Sequence, residues 1–186
     1  MSEMLAVNAV AIGGPDAILE PDCALATWRR GVPANLAPAI AAIDLAPAEP
    51  VSVSAKLDTL AAVLADALGA YPAVLQEDIL ALAGPLAHIT RTGAVTVRLE
   101  TVAMNACHRF HADYLTVRLL TTYVGQATLC VHADTPEDIR QLAAGDVARF
   151  RGRVLADPPP VLHRSPLIEG TGERRLMLVI DPVHPE

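Results

Sequence analysis

Thr92-Gly93-Ala94-Val95-Thr96-Val97-Arg98-Leu99-Glu100 is the stretch at which the chain changes period. Val95, Val97 and Leu99 alternate with Thr96, Arg98 and Glu100, the pattern of a strand with one buried face. Downstream of it the apolar segments stay short. Leu115 to Tyr123 is rich in β-branched residues and bounded by Gly125, and Thr128 to His132 reads as a further strand. Ala144-Gly145-Asp146 marks a turn before a strand over Val147 to Arg151, and Arg175 to Asp181 closes the set. Pro158-Pro159-Pro160 cannot donate to a central ladder and must lie in a loop or on an edge. Thr135-Pro136-Glu137-Asp138 predicts a helix start, with Thr135 as N-cap and Pro136 in the first helical position. Short strands at this spacing predict a jelly-roll, a double-stranded β-helix.

Upstream, the period is helical. Leu57, Leu60, Ala61, Leu64 and Leu68 mark one buried helix face, and Leu75, Ile79, Leu82, Ala83 and Leu86 mark another. Tyr71-Pro72 separates them. Asn35 to Ile43 predicts a shorter helix, Ala46 to Pro50 a loop, Gly13-Gly14-Pro15 a turn and Ala17 to Leu19 a short strand. The expected fold is therefore α+β. An N-terminal helical lobe (1–92) packs as part of the same domain on a double-stranded β-helix core (93–182), with a tail at 183–186.

Composition narrows the partners. The 186 residues suffice for one domain, and 52% are hydrophobic while 3% are aromatic, so the core must rest on many small aliphatic contacts. A formal net charge of −7, with Lys56 the sole lysine, argues against nucleic acid, which needs clustered cations. No run approaches the roughly 18 apolar residues of a membrane helix. Glu3 stands where a signal peptide would carry positive charge, so a cytoplasmic protein without a membrane partner is expected. The three cysteines, Cys23, Cys107 and Cys130, form no CxxC pair and are expected to be free thiols in a reducing compartment.

Candidate chemistry concentrates in Cys107-His108-Arg109-Phe110-His111-Ala112-Asp113 and in Leu162-His163-Arg164-Ser165-Pro166. Side chains at i and i+2 of an extended segment share a side, so His111 and Asp113 can grip one metal ion together. His163 would complete a two-His, one-carboxylate triad, which leaves open positions on Fe(II). A lone HxD pattern is weak evidence, and His132-Ala133-Asp134 is a second one. Each histidine could equally be a surface or capped residue. Cys107, Cys130 and His132 could instead join a Zn(II) site, although free cysteines also serve as small buried hydrophobes. Arg98 and Glu100 share a face, either as a solvated pair or at a site mouth. Trp28 is expected to anchor the helical lobe, and His88 to be capped or partly exposed.

The order HxD, then a distal His, then an Arg opening the last strand resembles the double-stranded β-helix of 2-oxoglutarate/Fe(II) dioxygenases, over about 95–181. The supporting stretches are Val117 to Tyr123, Gly145 to Phe150 and Glu173 to Leu178. That resemblance implies Fe(II) on His111, Asp113 and His163. It also implies 2-oxoglutarate held by Arg175, with Tyr123 or Arg118 in support. Arg175 could also form a salt bridge with Glu173 or Asp181. At a closer level the chain resembles an uncharacterised bacterial family, DUF1826, through Trp28-Arg29-Arg30, Val97 to Glu100, Cys107 to Asp113, Arg118 to Tyr123 and His163 to Pro166. It departs from that family's pattern at Val124 to Cys130, where a Gly-rich turn leading to a Trp is expected.

Three functions stand at this point. One is an Fe(II)- and 2-oxoglutarate-dependent oxygenase acting on a small molecule or a protein. The second is a non-redox, cupin-like metal protein handling or sensing Zn(II). The third is a degenerate barrel serving as an interaction module. Barrels of this kind often dimerise through the helical flank, so a homodimer is an expectation.

Overall fold

The computed structural model describes residues 10–11, 15–46 and 48–184. The Gly13-Gly14 part of the expected turn, Pro47 and the last two residues of the expected tail lie outside the described residues.

Helix α2 (Leu57–Ala67) and helix α3 (Ala73–Thr90) follow the spacing of their leucines. Leu60 and Leu64 of α2, with Leu75, Ile79, Leu82, Ala83, Leu86 and Ala87 of α3, are all buried. Each buried Leu or Ile contributes roughly 1.5–3 kcal/mol, so this one interface holds the helical layer in place. Arg91 ends α3 in the left-handed region at φ 54°, and the next amide, Thr92 N–H, donates back to Ala87 O at 2.9 Å. That reversal satisfies the last carbonyls and launches the chain into β4 (Ala94–Val102). A shorter α1 (Ala37–Ala41) occupies the middle of the third predicted helix.

A seven-stranded sheet receives these helices on one face. Its strands, in chain order, are β1 (Val10–Ala11), β2 (Leu25–Trp28), β3 (Val51–Lys56), β4, β5 (Val117–Val124), β8 (Val147–Arg151) and β10 (Arg175–Val183). Their spatial order is β1-β2-β8-β5-β10-β4-β3, antiparallel throughout except for β1 with β2. A small sheet, β7-β6-β9, covers the other face, made of β6 (Leu129–His132), β7 (Arg140–Gln141) and β9 (Val161–Arg164). The large sheet thus separates two cores. Val95, Val97, Leu99, Leu176, Leu178 and Ile180 pack against the helices. Leu120, Phe150, Met177 and Val179 pack with Cys130 and Val161 of the small sheet. The period of two in β10 is what lets that one strand serve both cores.

The fold is α+β with a double-stranded β-helix, and it departs from expectation in four places. Three strands, β1, β2 and β3, arise within residues 1–92 and extend the large sheet at both ends, so that region is not purely helical. Val51-Ser52-Val53-Ser54 does alternate, and β2 is too short for periodicity to reveal. Pro15–Leu19 is a 3-10 helix rather than a strand, which sends Ile18 into the core. Thr135 to Asp138 makes a single turn, with Asp138 N–H donating to Thr135 O at 3.0 Å, and no helix. The β6–β7 pairing of Cys130 with Arg140 closes the chain back on itself there, and Ala133 to Arg140 are all exposed, so a helix would have no face to bury. Trp28 is exposed beneath the Arg30 guanidinium and belongs to neither core, so it does not anchor the helical lobe as expected, while His88 is exposed as expected. No helix among the described residues is long and apolar enough to cross a membrane.

Candidate metal centre

The segment from Asn105 to Asp113 is zipped along β9 by its backbone. Ser165 N–H donates to Cys107 O at 2.9 Å. His111 and His163 exchange both N–H···O bonds, at 3.0 and 2.9 Å. Two histidines far apart in sequence are thereby set directly opposite each other, with ring centroids 4.7 Å apart. Asp113, two residues past His111, swings onto the same side. Its Oδ1 lies 3.9 Å from His111 Nε2 and its Oδ2 3.2 Å from His163 Nε2.

One ligand atom from each of His111, Asp113 and His163 falls within 4.8 Å of the others. His111 Nδ1 donates to Arg109 O at 2.8 Å, which leaves Nε2 as the free ligand atom. The His163 ring lies against Phe150, centroid to centroid 4.6 Å. Burial, joined by the charges of His111 and Arg118, outweighs Asp113 and pulls the His163 pKa down, which favours the neutral, ligating imidazole. Burial works against ionisation of Asp113, but His163, Arg118 and His111 together hold its carboxyl below the ordinary value. Asp113 Oδ2 and His163 Nδ1 are buried without a hydrogen-bond partner. Two imidazoles and an anionic carboxylate with one oxygen lacking a hydrogen bond are a donor set that fits a divalent cation.

Arg118 serves this centre and is not free for a cosubstrate. Its Nε and Nη2 donate to Asp181 at 2.8 and 2.6 Å, and its Nη1 pairs with Asp113 Oδ1. Tyr123 is turned to the opposite face of the sheet. Its hydroxyl donates to Asp78 Oδ2 of α3 at 2.7 Å, so it cannot reach the triad. Burial, reinforced by Asp78, raises its pKa well above the ordinary value. Cys107 is exposed at the cavity wall. Cys130 stands opposite His163 in the β6–β9 ladder, but burial pushes its thiol up to about 11, far from the thiolate that Zn(II) takes. His132 lies opposite Val161 with Asp134 at 3.7 Å. Among the described residues, neither these cysteines nor His132 joins the cluster.

Beside the triad is a cavity of about 230 Å³. Arg98, Glu100, Leu120, Met177 and Ser165 are among its walls, so the Arg98–Glu100 pair sits at the site rather than in bulk solvent. Arg175 lies behind Ser165 and Met177 and is 0% exposed. Its Nε donates to Gln126 O, its Nη1 to Ser165 Oγ at 3.0 Å and its Nη2 to Thr122 Oγ1 at 3.4 Å. None of these partners carries charge, and burial, opposed by the field of Glu100, pushes the guanidinium down to about 10. Neither Glu173 nor Asp181 pairs with it: Glu173 receives Gln126, and Asp181 receives Arg118. The unusual 124–130 stretch supplies part of this cradle. Gly125 (φ 82°) lets the backbone pass Arg174, where a Cβ would meet Arg174 O at 2.4 Å. Ser165, inside the His163 motif, and Asp181, expected only as a partner of Arg175, are the residues whose roles here motif reading missed. Their signal was spacing alone, Ser165 two past His163 and Asp181 at the far end of the Arg175 strand.

A family model described as "Protein of unknown function (DUF1826)" matches residues 15–181. A search of curated proteins finds no match. Among solved structures, a dioxygenase for auxin oxidation in rice aligns with a TM-score of 0.53 at 15% identity, over 97% of this chain and 82% of that one. Dioxygenase for auxin oxidation 1 from Arabidopsis thaliana, bound to 2-oxoglutarate, gives 0.49 at 12%, over 83% and 74%. A Pseudomonas putida prolyl-4-hydroxylase gives 0.48 at 16%, over 92% and 97%. The rice likeness is one of fold.

Proposed function

We propose that this chain, which belongs to the DUF1826 family over residues 15–181, is an Fe(II)- and 2-oxoglutarate-dependent oxygenase. The observation that carries this reading is Arg175: a fully buried guanidinium with neutral partners alone, one hydroxyl away from the cavity beside His163. Burying an unneutralised cation is costly unless an anion completes it. The distal carboxylate of 2-oxoglutarate would be that anion, with Ser165 Oγ turning from Arg175 to share it. His111, Asp113 and His163 would hold the metal. When bound, Fe(II) with 2-oxoglutarate and O₂ supplies oxidative decarboxylation to succinate and CO₂ coupled to hydroxylation of a substrate C–H bond.

The chain's own residues do the rest. Arg118 bridges Asp113 to Asp181, which fixes the carboxylate's direction and keeps it ionised. Phe150 holds the His163 ring, and the Arg109 carbonyl sets the His111 tautomer. Leu120, Met177 and Val179 line the cavity with apolar surface that excludes water beside the reacting centre.

The test is anaerobic titration of metal-free protein with Fe(II), then 2-oxoglutarate, followed by the visible charge-transfer band of the chelate. The band is expected in the wild type, lost in His163→Ala and weakened in Arg175→Gln. A wild type that binds Fe(II) without developing the band would overturn the oxygenase reading and return the site to a non-redox metal protein.

A further inference from the structure

The cavity holds a second guanidinium that the oxygenase reading leaves without a task. In β4, Val95, Val97 and Leu99 face the helices, which turns Arg98 and Glu100 inward. Arg98 stands opposite Val179 of β10, and Val179 opposite Leu120 of β5, so the three form one row across the cavity floor. Arg98 Nε is buried and has no hydrogen-bond partner. Glu100 Oε1 is 3.6 Å from it, close enough for an ion pair but too far for a hydrogen bond, and the Arg98 side chain as a whole is 38% exposed. The other two arginines that line the cavity are engaged. Arg118 is held by Asp113 and Asp181, while Arg164 lies over the Phe110 ring at 4.9 Å and donates to Ser165 O.

Arg98 and Arg175 are separate positions. Arg175 pairs with Val102, four residues further along β4 than Arg98, which is roughly 13 Å of strand. Arg98 lines the cavity and Arg175 does not, so an anion seated in the cavity meets Arg98. Glu100, 3.6 Å from Arg98, repels an incoming anion in proportion to its charge, so a monoanion is favoured over a dianion at Arg98. The Nε–Nη edge of a guanidinium matches a planar carboxylate with two parallel hydrogen bonds. Leu120, Val179 and Val102 supply an apolar surface next to it, and the cavity, at about 230 Å³, is below the size of most drug-binding pockets.

We infer that the substrate is a small monocarboxylic acid with an apolar body. Its carboxylate is taken by Arg98, and its body lies along Leu120 and Val179 toward His111 and His163. The assignment of the substrate's role rests on the oxygenase reading, whereas the binding preference does not.

The experiment is calorimetric titration of the Zn(II)-loaded full chain with phenylacetate and 3-phenylpropionate, each beside its primary amide. At least one acid is expected to bind about tenfold or more tighter than its amide. Arg98→Gln should erase that preference, Arg98→Lys should restore part of it, and Arg175→Gln should leave it intact. Acids and amides binding alike in the wild type would overturn the inference. So would a preference that survives Arg98→Gln, or one that disappears in Arg175→Gln instead. The Fe(II)–2-oxoglutarate band is read on the same variants. Its absence from the wild type removes the oxygenase while the acid–amide comparison still stands or falls on Arg98.

Discussion

Removing the Asp78 carboxylate should unlock the helical layer without touching the metal centre. Arg30 reaches Asp78 with two bonds, 2.6 and 2.9 Å, and the Tyr123 hydroxyl adds a third at 2.7 Å. The Arg30 and Asp78 side chains are 9% and 12% exposed, so water cannot replace what is lost. Asp78→Ala strands a buried cation, a change that costs about 3–5 kcal/mol, and leaves the Tyr123 hydroxyl without its acceptor. Arg30 Nε keeps its bond to Gly145 O at 3.0 Å, which places the expected loss at ~4 kcal/mol. For a chain of this length that is a fall of about 10 °C in Tm. Tyr123→Phe removes one donor and leaves the ion pair whole, so ~1–1.5 kcal/mol and about 3–4 °C are expected. Urea denaturation with an unchanged slope measures both, and the Fe(II)–2-oxoglutarate titration should be the same in Tyr123→Phe as in the wild type. A Tyr123→Phe protein of unaltered stability that binds 2-oxoglutarate more weakly would refute this placement and put Tyr123 back at the cavity.

Three further outcomes are expected. Arg118→Gln takes the cation from Asp113 and Asp181 together, so Zn(II) affinity, measured by competition with a chelating dye, should fall roughly 10–100-fold; an unchanged affinity would remove Arg118 from the centre. Gly152→Ala would drive a Cβ to 2.1 Å from Leu115 O and 2.9 Å from Asp113 O. It should therefore lower metal affinity along with Tm, and a variant with wild-type affinity would show that the Asp113 segment tolerates displacement. In alkylation by iodoacetamide, exposed Cys107 should react first. Cys130, with its thiol near 11, is roughly 0.1% thiolate at pH 8 and should be labelled only as pH climbs toward that value. Equal labelling at pH 8 would contradict the burial of β6.

The positions of Arg118 and Tyr123 show how far a strand pattern can be read. Both belong to β5, and both were expected beside the cosubstrate. They are five positions apart, an odd offset, so on a regular strand they must face opposite sides. That parity was legible in the sequence. Which side looks at the metal was not, because alternation distinguishes two faces without saying what covers each. Arg98 and Glu100 pose the same problem. Their shared face was plain, while its being the cavity wall rather than a solvated surface depended on the small sheet that lies across it.

The sequence by itself determined the local periods, and with them the helices α2 and α3, the strands β4, β5, β8 and β10, and the shared side of His111 and Asp113. These follow from backbone geometry acting over a few residues. Tertiary structure alone decided that His163 meets His111 through a two-bond bridge, that β2 and β3 complete the large sheet, and that Arg175 is buried with neutral hydrogen-bond partners. Those facts come from pairings between distant segments. Their partners are selected by the fit of two cores on either side of one sheet, and no short stretch of residues encodes that fit.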